Sequence, residues 1–274
     1  MYLTPPGPMT PWMRLAVRAA AKEGAGSETG VLRALSNLSG THRAWVPTDF
    51  EVQEHIVAKQ RGKEIHFPRP LHRENHRTIL RGYLESLHGK YQKDGFCTVG
   101  KGDIVVDCGA YVGGFARSVA PIAGRIVVIE PAPVNYSCCV QNLKDFAFAT
   151  AIQMGLFNKS GTFELRMSRS DVDHSLLAPD HGATGEVIEV PIRRLDDLVE
   201  EIGLDRIDFF KLEAEGAEIE AIEGMGDIRP KKIAIDVSPE RYGESPADQL
   251  TVTLQGYGYE VRTYGHTLLA VLSR

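Results

Sequence analysis

From residue 101 onward, short apolar runs alternate with longer stretches whose apolar residues recur at helical spacing. The runs have the length of buried strands, and the longer stretches have the pattern of amphipathic helices. This alternation predicts a parallel sheet with helices on both faces and right-handed crossovers. The predicted strands are 104–108, 125–129, 149–154, 207–212 and 232–237, and the predicted helices are 112–122, 134–144, 195–202, 219–223 and 246–255.

The last two predicted strands, 259–263 and 267–272, form a hairpin around Gly265-His266. A hairpin at the end of a parallel sheet forces one strand to run antiparallel to the rest. The expected fold class is therefore α/β, a doubly wound and mostly parallel sheet of about seven strands with one antiparallel strand. A pure dinucleotide-binding fold would not need this hairpin.

Residues 1–88 are predicted to form a helical N-terminal extension to a domain spanning 89–274. The extension opens with a proline-rich stretch, residues 1–10, that is expected to be extended or disordered. A parallel sheet leaves the carboxyl ends of its strands open, so we expect the extension to act as a cap on the substrate side. Its predicted helices are 11–22, 31–38, 49–61 and 73–88.

The composition narrows the functional classes. No apolar run approaches the ~18 residues of a membrane span, and the start lacks a signal-peptide pattern. The four cysteines show no metal-ligand spacing and are interpreted as reduced, which favours a cytoplasmic location without membrane attachment. A net charge of −5 argues against a nucleic-acid partner. A homo-oligomer remains an open alternative.

A glycine turn follows the first predicted strand, in Asp-Ile-Val-Val-Asp107-Cys-Gly109-Ala-Tyr-Val-Gly113-Gly. Ligands of such sheets bind outside the carboxyl ends of the strands, where this turn lies. Gly109 has no side chain, which allows the backbone to pass close beneath a ligand. Asp107, at the strand end, can accept hydrogen bonds or face the cationic end of a ligand.

Glu130 ends the second predicted strand, 21 residues after Gly109. A carboxylate at about this spacing along the sequence binds the two hydroxyls of an adenosine ribose. A nicotinamide or flavin site is the competing interpretation. Its motif requires a second glycine at the position of Tyr111, where a bulky side chain would obstruct a pyrophosphate. A P-loop is excluded, because no Lys-Ser/Thr pair follows the glycines.

These segments resemble the FkbM-type methyltransferases, which carry an Asp-x-Gly-Ala-Asn-x-Gly turn. The matching segments are 106–113, the Glu-Pro segment 130–135 with Asn142-Leu143, the loop 155–161, Leu195-Asp-Asp-Leu198, and 208–218, which is similar to the family's Lys-x-Asp-x-Glu-Gly-x-Glu. The resemblance spans roughly residues 90–270. It implies a class I methyltransferase fold, S-adenosylmethionine as methyl donor, and O-methylation of a small metabolite or glycosyl group. The implied cofactor-binding residues are Asp107, Gly109, Ala110, Tyr111, Gly113, Glu130, Pro131, Gln153 and Met154.

The chain departs from the family pattern at two positions. Tyr111 replaces the usual Asn, and Glu213 replaces the usual Asp, so that its carboxylate reaches about one methylene further. Methyl transfer requires an oriented nucleophile and often a base, and the candidate catalytic residues are Glu213, His174 and Lys211. Magnesium is an additional candidate cofactor, with Glu213 and Asp236 as its expected ligands.

The sequence favours an O-methyltransferase of the FkbM type acting on a small molecule or glycosyl substrate. The alternatives are an RNA methyltransferase, a catalytically inactive cofactor-binding partner protein, and a nicotinamide oxidoreductase.

Overall fold

The computed structural model describes residues 32, 35–37, 39, 45–71, 73–168, 174–177 and 183–273. The predicted helix 11–22 lies outside these residues, and the helix 31–38 lies only partly within them. The chain divides into two compact units, Met1–Ser86 and Leu87–Arg274. The cap role of the N-terminal extension remains a prediction.

The first unit contains a three-stranded antiparallel sheet in which β1 (Asp49–Val52) and β3 (Lys63–Phe67) flank β2 (Ile56–Gln60). The predicted helix over 49–61 is therefore wrong. Arg61 and Gly62 both have positive φ, 49° and 75°, and join Gln60 to Lys63 as a two-residue hairpin turn. The Arg-Gly pair that suggests the end of a helix is instead the turn between two strands.

The predicted helix over 73–88 is confirmed, but as two helices, α1 (Arg73–Leu80) and α2 (Tyr83–Lys90). Gly82, with φ +92°, breaks the helical run between them. The second helix begins in the first unit and ends in the second.

The second unit is built on a seven-stranded sheet in the order β12-β13-β11-β10-β4-β5-β6. β13 alone of the seven runs antiparallel, as predicted from the hairpin. The chain runs outward from β4 to β6 and then resumes on the other side of β4, so the topological switch point lies between β4 and β10. The strands are β4 (Ile104–Cys108), β5 (Arg125–Ile129), β6 (Ala149–Ile152), β10 (Phe209–Leu212), β11 (Lys232–Asp236), β12 (Tyr259–Tyr264) and β13 (Thr267–Leu272).

The central strands are buried on both faces, because their side chains alternate between two apolar layers. One layer contains Val106 and Phe210 and packs against α5, α6 and α7. The other contains Val105 and Phe209 and packs against α3 and α4. These helices are α3 (Gly114–Val119), α4 (Pro133–Leu143), α5 (Leu195–Glu201), α6 (Glu218–Glu223) and α7 (Ala247–Gly256).

A second three-stranded sheet, in the order β7-β9-β8, is inserted between β6 and α5. Its strands are β7 (Gly155–Leu156), β8 (Gly161–Ser168) and β9 (Ala183–Arg193), none of which the sequence predicted. Its inner face buries Leu165, Val190 and Ile192 with Phe157. Within the described residues, no helix is both long and apolar enough to cross a membrane.

Candidate active site

The glycine turn after β4 packs against the backbone at the end of the neighbouring strand β10. A Cβ atom at Gly109 would overlap the carbonyl oxygen of Glu213, which leaves β10 at the same level. Gly109 also has φ +62°, a conformation that favours glycine. The sequence attributed this glycine to a ligand above the turn. The structure shows that the backbone of β10 is the close neighbour that requires it.

Asp107 and Tyr111 hold the two sides of this turn. The fully buried carboxylate of Asp107 accepts a hydrogen bond from the backbone N–H of Ala116 at 3.0 Å, which ties β4 to α3. Tyr111 has φ +55°, and its N–H donates to Oε2 of Glu130 at 2.9 Å. Its carbonyl accepts a hydrogen bond from Sγ of Cys139 at 3.0 Å. Tyr111 thus adopts a left-handed backbone conformation at the position where the family pattern has Asn, and Asn tolerates this conformation better than Tyr.

Glu130 is buried directly after β5. Its Oε1 accepts a hydrogen bond from the N–H of Ala132 at 3.0 Å and faces Nδ2 of Asn135 at 3.5 Å. Burial raises its pKa to about 7, although the N–H groups of Ala132 and Tyr111 favour the charged form. The charge of Lys211 also lowers this pKa, but by less than burial raises it. The carboxyl group therefore gains charge stabilisation from any hydroxyl donor that approaches it.

Lys211 connects β10 to the glycine turn. Its buried ammonium donates to the carbonyl of Gly109 at 2.6 Å and lies 3.2 Å from Oδ1 of Asp107. It also lies 3.3 Å from Oε2 of Glu213. These contacts fix the lysine against the turn, and a catalytic role for Lys211 remains a prediction.

Lys90 is the functional candidate that the sequence did not reveal. It ends α2, and its Nζ lies 2.6 Å from Oε1 of Glu213 and 2.7 Å from Oδ2 of Asp236. Burial opposes its charge, but the two carboxylates outweigh burial and raise its pKa above the ordinary value. No spacing rule connects a helix-terminal Lys to acidic residues more than a hundred positions away. Only the folded chain reveals this cluster.

Glu213 is held between two lysines. Burial works against its charge, but the ammonium groups of Lys90 and Lys211 lower its pKa to about 2. A carboxylate with so low a pKa is a weak proton acceptor at neutral pH. The geometry therefore disfavours Glu213 as the general base expected from the sequence.

The ring of Tyr91 packs against the two lysines that pair with Glu213. Its fully buried ring lies 4.9 Å from Nζ of Lys90 and 5.2 Å from Nζ of Lys211, measured to the ring centroid. Burial and the carboxylates of Glu213 and Asp236 raise the pKa of its hydroxyl well above the usual range. Tyr91 thus remains a neutral phenol whose ring lies against both ammonium groups.

A sequence model of the methyltransferase FkbM domain matches residues 107–261, from Asp107 of β4 into β12 and over half of the chain. The chain belongs to the FkbM methyltransferase family. It is therefore a methyltransferase, as the resemblance of its motifs implied.

Curated relatives of this FkbM methyltransferase match it over part of their length. The methyltransferase sdnD of Sordaria araneosa is 30% identical over 157 residues, which cover 45% of this chain and 60% of that protein. The AMB antimetabolite synthetase AmbE of Pseudomonas aeruginosa is 34% identical over 83 residues, covering 28% of this chain and 4% of that protein. The chain thus spans less than two thirds of the length of either relative.

A precorrin-6y C5,15-methyltransferase of known structure, from Geobacter metallireducens, superposes with a TM-score of 0.45 at 12% identity. The match covers 76% of this chain and 94% of that chain.

A metal site at Glu213 and Asp236 finds no support in the FkbM methyltransferase. The ammonium of Lys90 already lies between these carboxylates, in the place that a divalent cation would take. Among the described residues, no group of three His, Cys, Asp or Glu side chains could hold a metal ion. The second Asp236 oxygen accepts a hydrogen bond from the N–H of Ser238 at 2.7 Å.

His174 is anchored at the inserted sheet. Its Nδ1 accepts a hydrogen bond from the N–H of Ser168 at 3.1 Å, so the neutral ring carries its proton on Nε2. In that tautomer Nδ1 already accepts a hydrogen bond and Nε2 carries a proton, so neither nitrogen has a free lone pair. This arrangement disfavours His174 as the general base. The neighbouring Ser175 donates from Oγ to the carbonyl of Glu215 at 2.6 Å and brings this segment onto the loop after β10.

The remaining predicted cofactor-binding residues lie near the ends of β4, β5 and β6, although Gln153 and Met154 were expected inside the third strand. Ala110 and Gly113 belong to the turn after β4, and Pro131 follows Glu130. Gln153 and Met154 follow the end of β6, which pairs with β5 up to Ile129. All lie at the carboxyl ends of adjacent strands.

Two further carboxylates near this edge have raised pKa values for different reasons. Burial raises the pKa of Glu218 to about 7, and its Oε1 accepts hydrogen bonds from the N–H groups of Ala214 and Gly216, which ties the loop after β10 to the start of α6. Burial, followed by the charges of Asp236 and Glu213, raises the pKa of Glu240 to about 8. Glu240 thus interacts electrostatically with both carboxylates and with Lys90 of the lysine cluster.

Proposed function

We propose that this FkbM methyltransferase transfers a methyl group from S-adenosylmethionine to a hydroxyl oxygen of a small metabolite or glycosyl group. The observation that carries the proposal is a row of charged side chains along the carboxyl ends of adjacent strands. The row contains Glu130 after β5, Asp107 on β4, Lys211 and Glu213 at β10, and Asp236 on β11. It spans the topological switch point, where ligands bind in sheets of this kind.

The donor side of this row fits S-adenosylmethionine. Glu130 is buried and retains lone pairs for the two ribose hydroxyls beside its backbone N–H donors. We assign Pro131, Gln153 and Met154 to the adenosine, and Asp107 with the turn residues Gly109, Ala110, Tyr111 and Gly113 to the methionine portion. When bound, this cofactor supplies a methyl group on a sulfonium leaving group.

Lys90 would act on the acceptor. Its side chain is about one-third exposed, more than the 23% of Glu213 and far more than the 3% of Lys211. An ammonium beside a hydroxyl favours the oxyanion form, and this effect grows as the acceptor loses its proton. Glu213 and Asp236 would hold this ammonium in position and keep it charged.

We assign the role of proton acceptor to Glu240, which interacts electrostatically with Asp236, Glu213 and Lys90. The pKa of Glu240, about 8, suits proton transfer near neutral pH. Glu240 would accept the proton of the acceptor hydroxyl as that oxygen becomes methylated, and S-adenosylmethionine would supply the methyl group with its sulfur as the leaving group. The products are a methyl ether and S-adenosylhomocysteine.

Two measurements test the proposal. S-adenosylhomocysteine at a hundred-fold excess over its dissociation constant should stabilise the protein by about 2.7 kcal/mol in thermal unfolding, whereas NADH should not. A labelled methyl donor should transfer its label to hydroxyl-bearing small molecules. Stabilisation by NADH alone would overturn the donor assignment, and label recovered in RNA would overturn the acceptor assignment.

A further inference from the structure

A groove of about 370 Å³ runs along β8, the edge strand of the inserted sheet. It belongs to the second unit, and no part of the function proposed above has used it. Its lining combines aromatic, aliphatic and charged side chains, the mixture typical of small-molecule sites. The lining residues are Thr162, Phe163, Glu164, Arg166, Leu176, Leu177, Glu189 and Tyr242.

Both walls of this groove are bound to the loop that leaves β10 at Glu213. On one side, Ser175 donates to the carbonyl of Glu215 at 2.6 Å, directly before Leu176. On the other side, Arg241 donates to the carbonyl of Gly216 at 2.8 Å, directly before Tyr242. The groove therefore opens beside the loop that carries the lysine-bound carboxylate.

Tyr242 is presented to this groove by a strained backbone. It has φ +56°, and 72% of its surface is exposed. Arg241 holds the segment in place by pairing with both carboxylate oxygens of Glu220, each at 2.8 Å. A non-glycine residue in this conformation costs on the order of 1 kcal/mol, and such outliers cluster at ligand sites. An exposed aromatic ring in a fixed position offers a flat apolar surface for a ring of the ligand.

The charged lining is unbalanced. Glu164 on β8 lies directly opposite Glu189 on β9, and like charges in this register destabilise a sheet. Arg166 is the groove's one lining cation, and among the described residues no ion pair joins it to either glutamate. Glu164 and Glu189 therefore place two negative charges opposite one another, while the ammonium of Lys159 lies 4.9 Å from the ring centroid of the lining residue Phe163. A cationic group from a ligand would relieve that repulsion.

We propose that this groove binds the methyl acceptor and that the acceptor is a hydroxyl-bearing ring with a positive charge, of the amino-sugar class. This inference rests on the proposed function. The ring packs on Tyr242, its ammonium lies near Glu164 and Glu189, and its reacting hydroxyl points toward the loop after β10. The segment from Asp236 to Tyr242 then connects the lysine cluster, the base Glu240 and the acceptor.

Three sugars of one ring size test the charge requirement: glucosamine, N-acetylglucosamine and glucuronate. Their dissociation constants are measured by NMR titration of the full-length protein saturated with S-adenosylhomocysteine. Glucosamine should bind most tightly and glucuronate most weakly. Equal affinities, the reverse order, or no binding of any of the three over the millimolar range would overturn the amino-sugar assignment.

Matched variants test the location. Tyr242→Ala should weaken glucosamine binding about tenfold, and Glu189→Gln should weaken it about threefold while leaving N-acetylglucosamine unchanged. The controls are Tyr264→Ala and Glu260→Gln on β12, an edge strand of the large sheet, and neither should alter sugar binding. Unchanged affinity in Tyr242→Ala would place the sugar elsewhere. Failure of S-adenosylhomocysteine to stabilise the protein would instead refute the proposed function, whatever the sugars do.

Discussion

Nζ of Lys90 lies 2.6 Å from Oε1 of Glu213, although 123 positions separate the two residues. The contact joins the end of α2 to the carboxyl end of β10 and brings a cation to the edge of the sheet where ligands bind. Because Glu213 also pairs with Lys211, the same carboxylate connects the acceptor side to the glycine turn. The predictions below follow from this cluster and its neighbours.

Lys90→Met should destabilise the protein and slow methyl transfer. The substitution removes the cation shared by Glu213 and the buried Asp236, which should lower the free energy of unfolding by about 1–3 kcal/mol. If Lys90 assists the acceptor oxygen, kcat should fall by about 10²–10³. Urea unfolding and steady-state kinetics measure the two effects. The control is Lys101→Met, an exposed lysine before β4, and equal losses in both variants would contradict a specific role for Lys90.

Lowering the pH should reduce the free energy of unfolding of the parent protein more steeply than that of the Lys90→Met variant. The folded-state pKa of Glu213 is about 2, below its ordinary value of 4.5, so the unfolded chain binds more protons. The contribution of Glu213 is therefore complete above about pH 4.5 and is lost as the pH falls toward 2. Without Lys90 the pKa should move back toward 4.5. Denaturant unfolding across this range checks the difference, and parallel curves would show that Lys90 does not set the pKa of Glu213.

Glu130→Gln should weaken cofactor binding. Both carboxylate oxygens accept backbone N–H groups, and a Gln amide can accept only on its oxygen, so one N–H is left facing another donor. The affinity for S-adenosylhomocysteine should fall tenfold or more. In the parent protein the pKa near 7 should fall on binding, so calorimetry below pH 7 should detect proton release. Binding without proton release would mean that the ribose does not contact Glu130.

Glu240→Gln should remove the alkaline rise in turnover. A base with a pKa of about 8 is active when deprotonated, so kcat of the parent should increase with pH through that value. The variant should lose about 10²–10⁴ in kcat, without recovery at high pH and with little change in cofactor affinity. A pH profile that is the same in both proteins would exclude Glu240 as the base.

Chelator should not inactivate the enzyme. The cation between Glu213 and Asp236 is the ammonium of Lys90, which EDTA cannot remove. Turnover after EDTA treatment and dialysis should equal turnover with added magnesium. A loss that magnesium restores would show that a metal ion takes part after all.

The sequence predicted the large sheet because its central strands are buried on both faces and appear as continuous apolar runs, as in Arg125–Ile129. It did not predict β8 or β9, whose exposed faces place Glu164 and Glu189 among apolar residues. Such half-exposed strands resemble polar loops in a single sequence. The helix assigned to 49–61 failed for a related reason, because Arg61-Gly62 can end a helix or turn a hairpin.

The residues of the candidate site also fall into two groups, those that the sequence could predict and those that it could not. Glu130, Asp107 and the turn follow strands directly, so local sequence positions them. Lys90, Glu240 and Tyr242 depend on contacts between distant segments, and their charges have no pattern along the chain. The pKa of Glu213 could not be inferred either, because it depends on two lysines that only the fold brings together.

Because glycine has no side chain, Gly109 lets the turn after β4 pack directly against the backbone at the end of β10, and the positions of these two segments depend on each other. The Glu213 carbonyl fills the space that any side chain there would need, so the turn after β4 and the exit of β10 cannot shift past one another. A change in either segment displaces the other, and donor and acceptor geometry vary together. If the proposed groove binds the acceptor, variation in acceptor preference is therefore expected to accumulate in the inserted β7-β9-β8 sheet and at Tyr242, which can change without displacing the turn after β4.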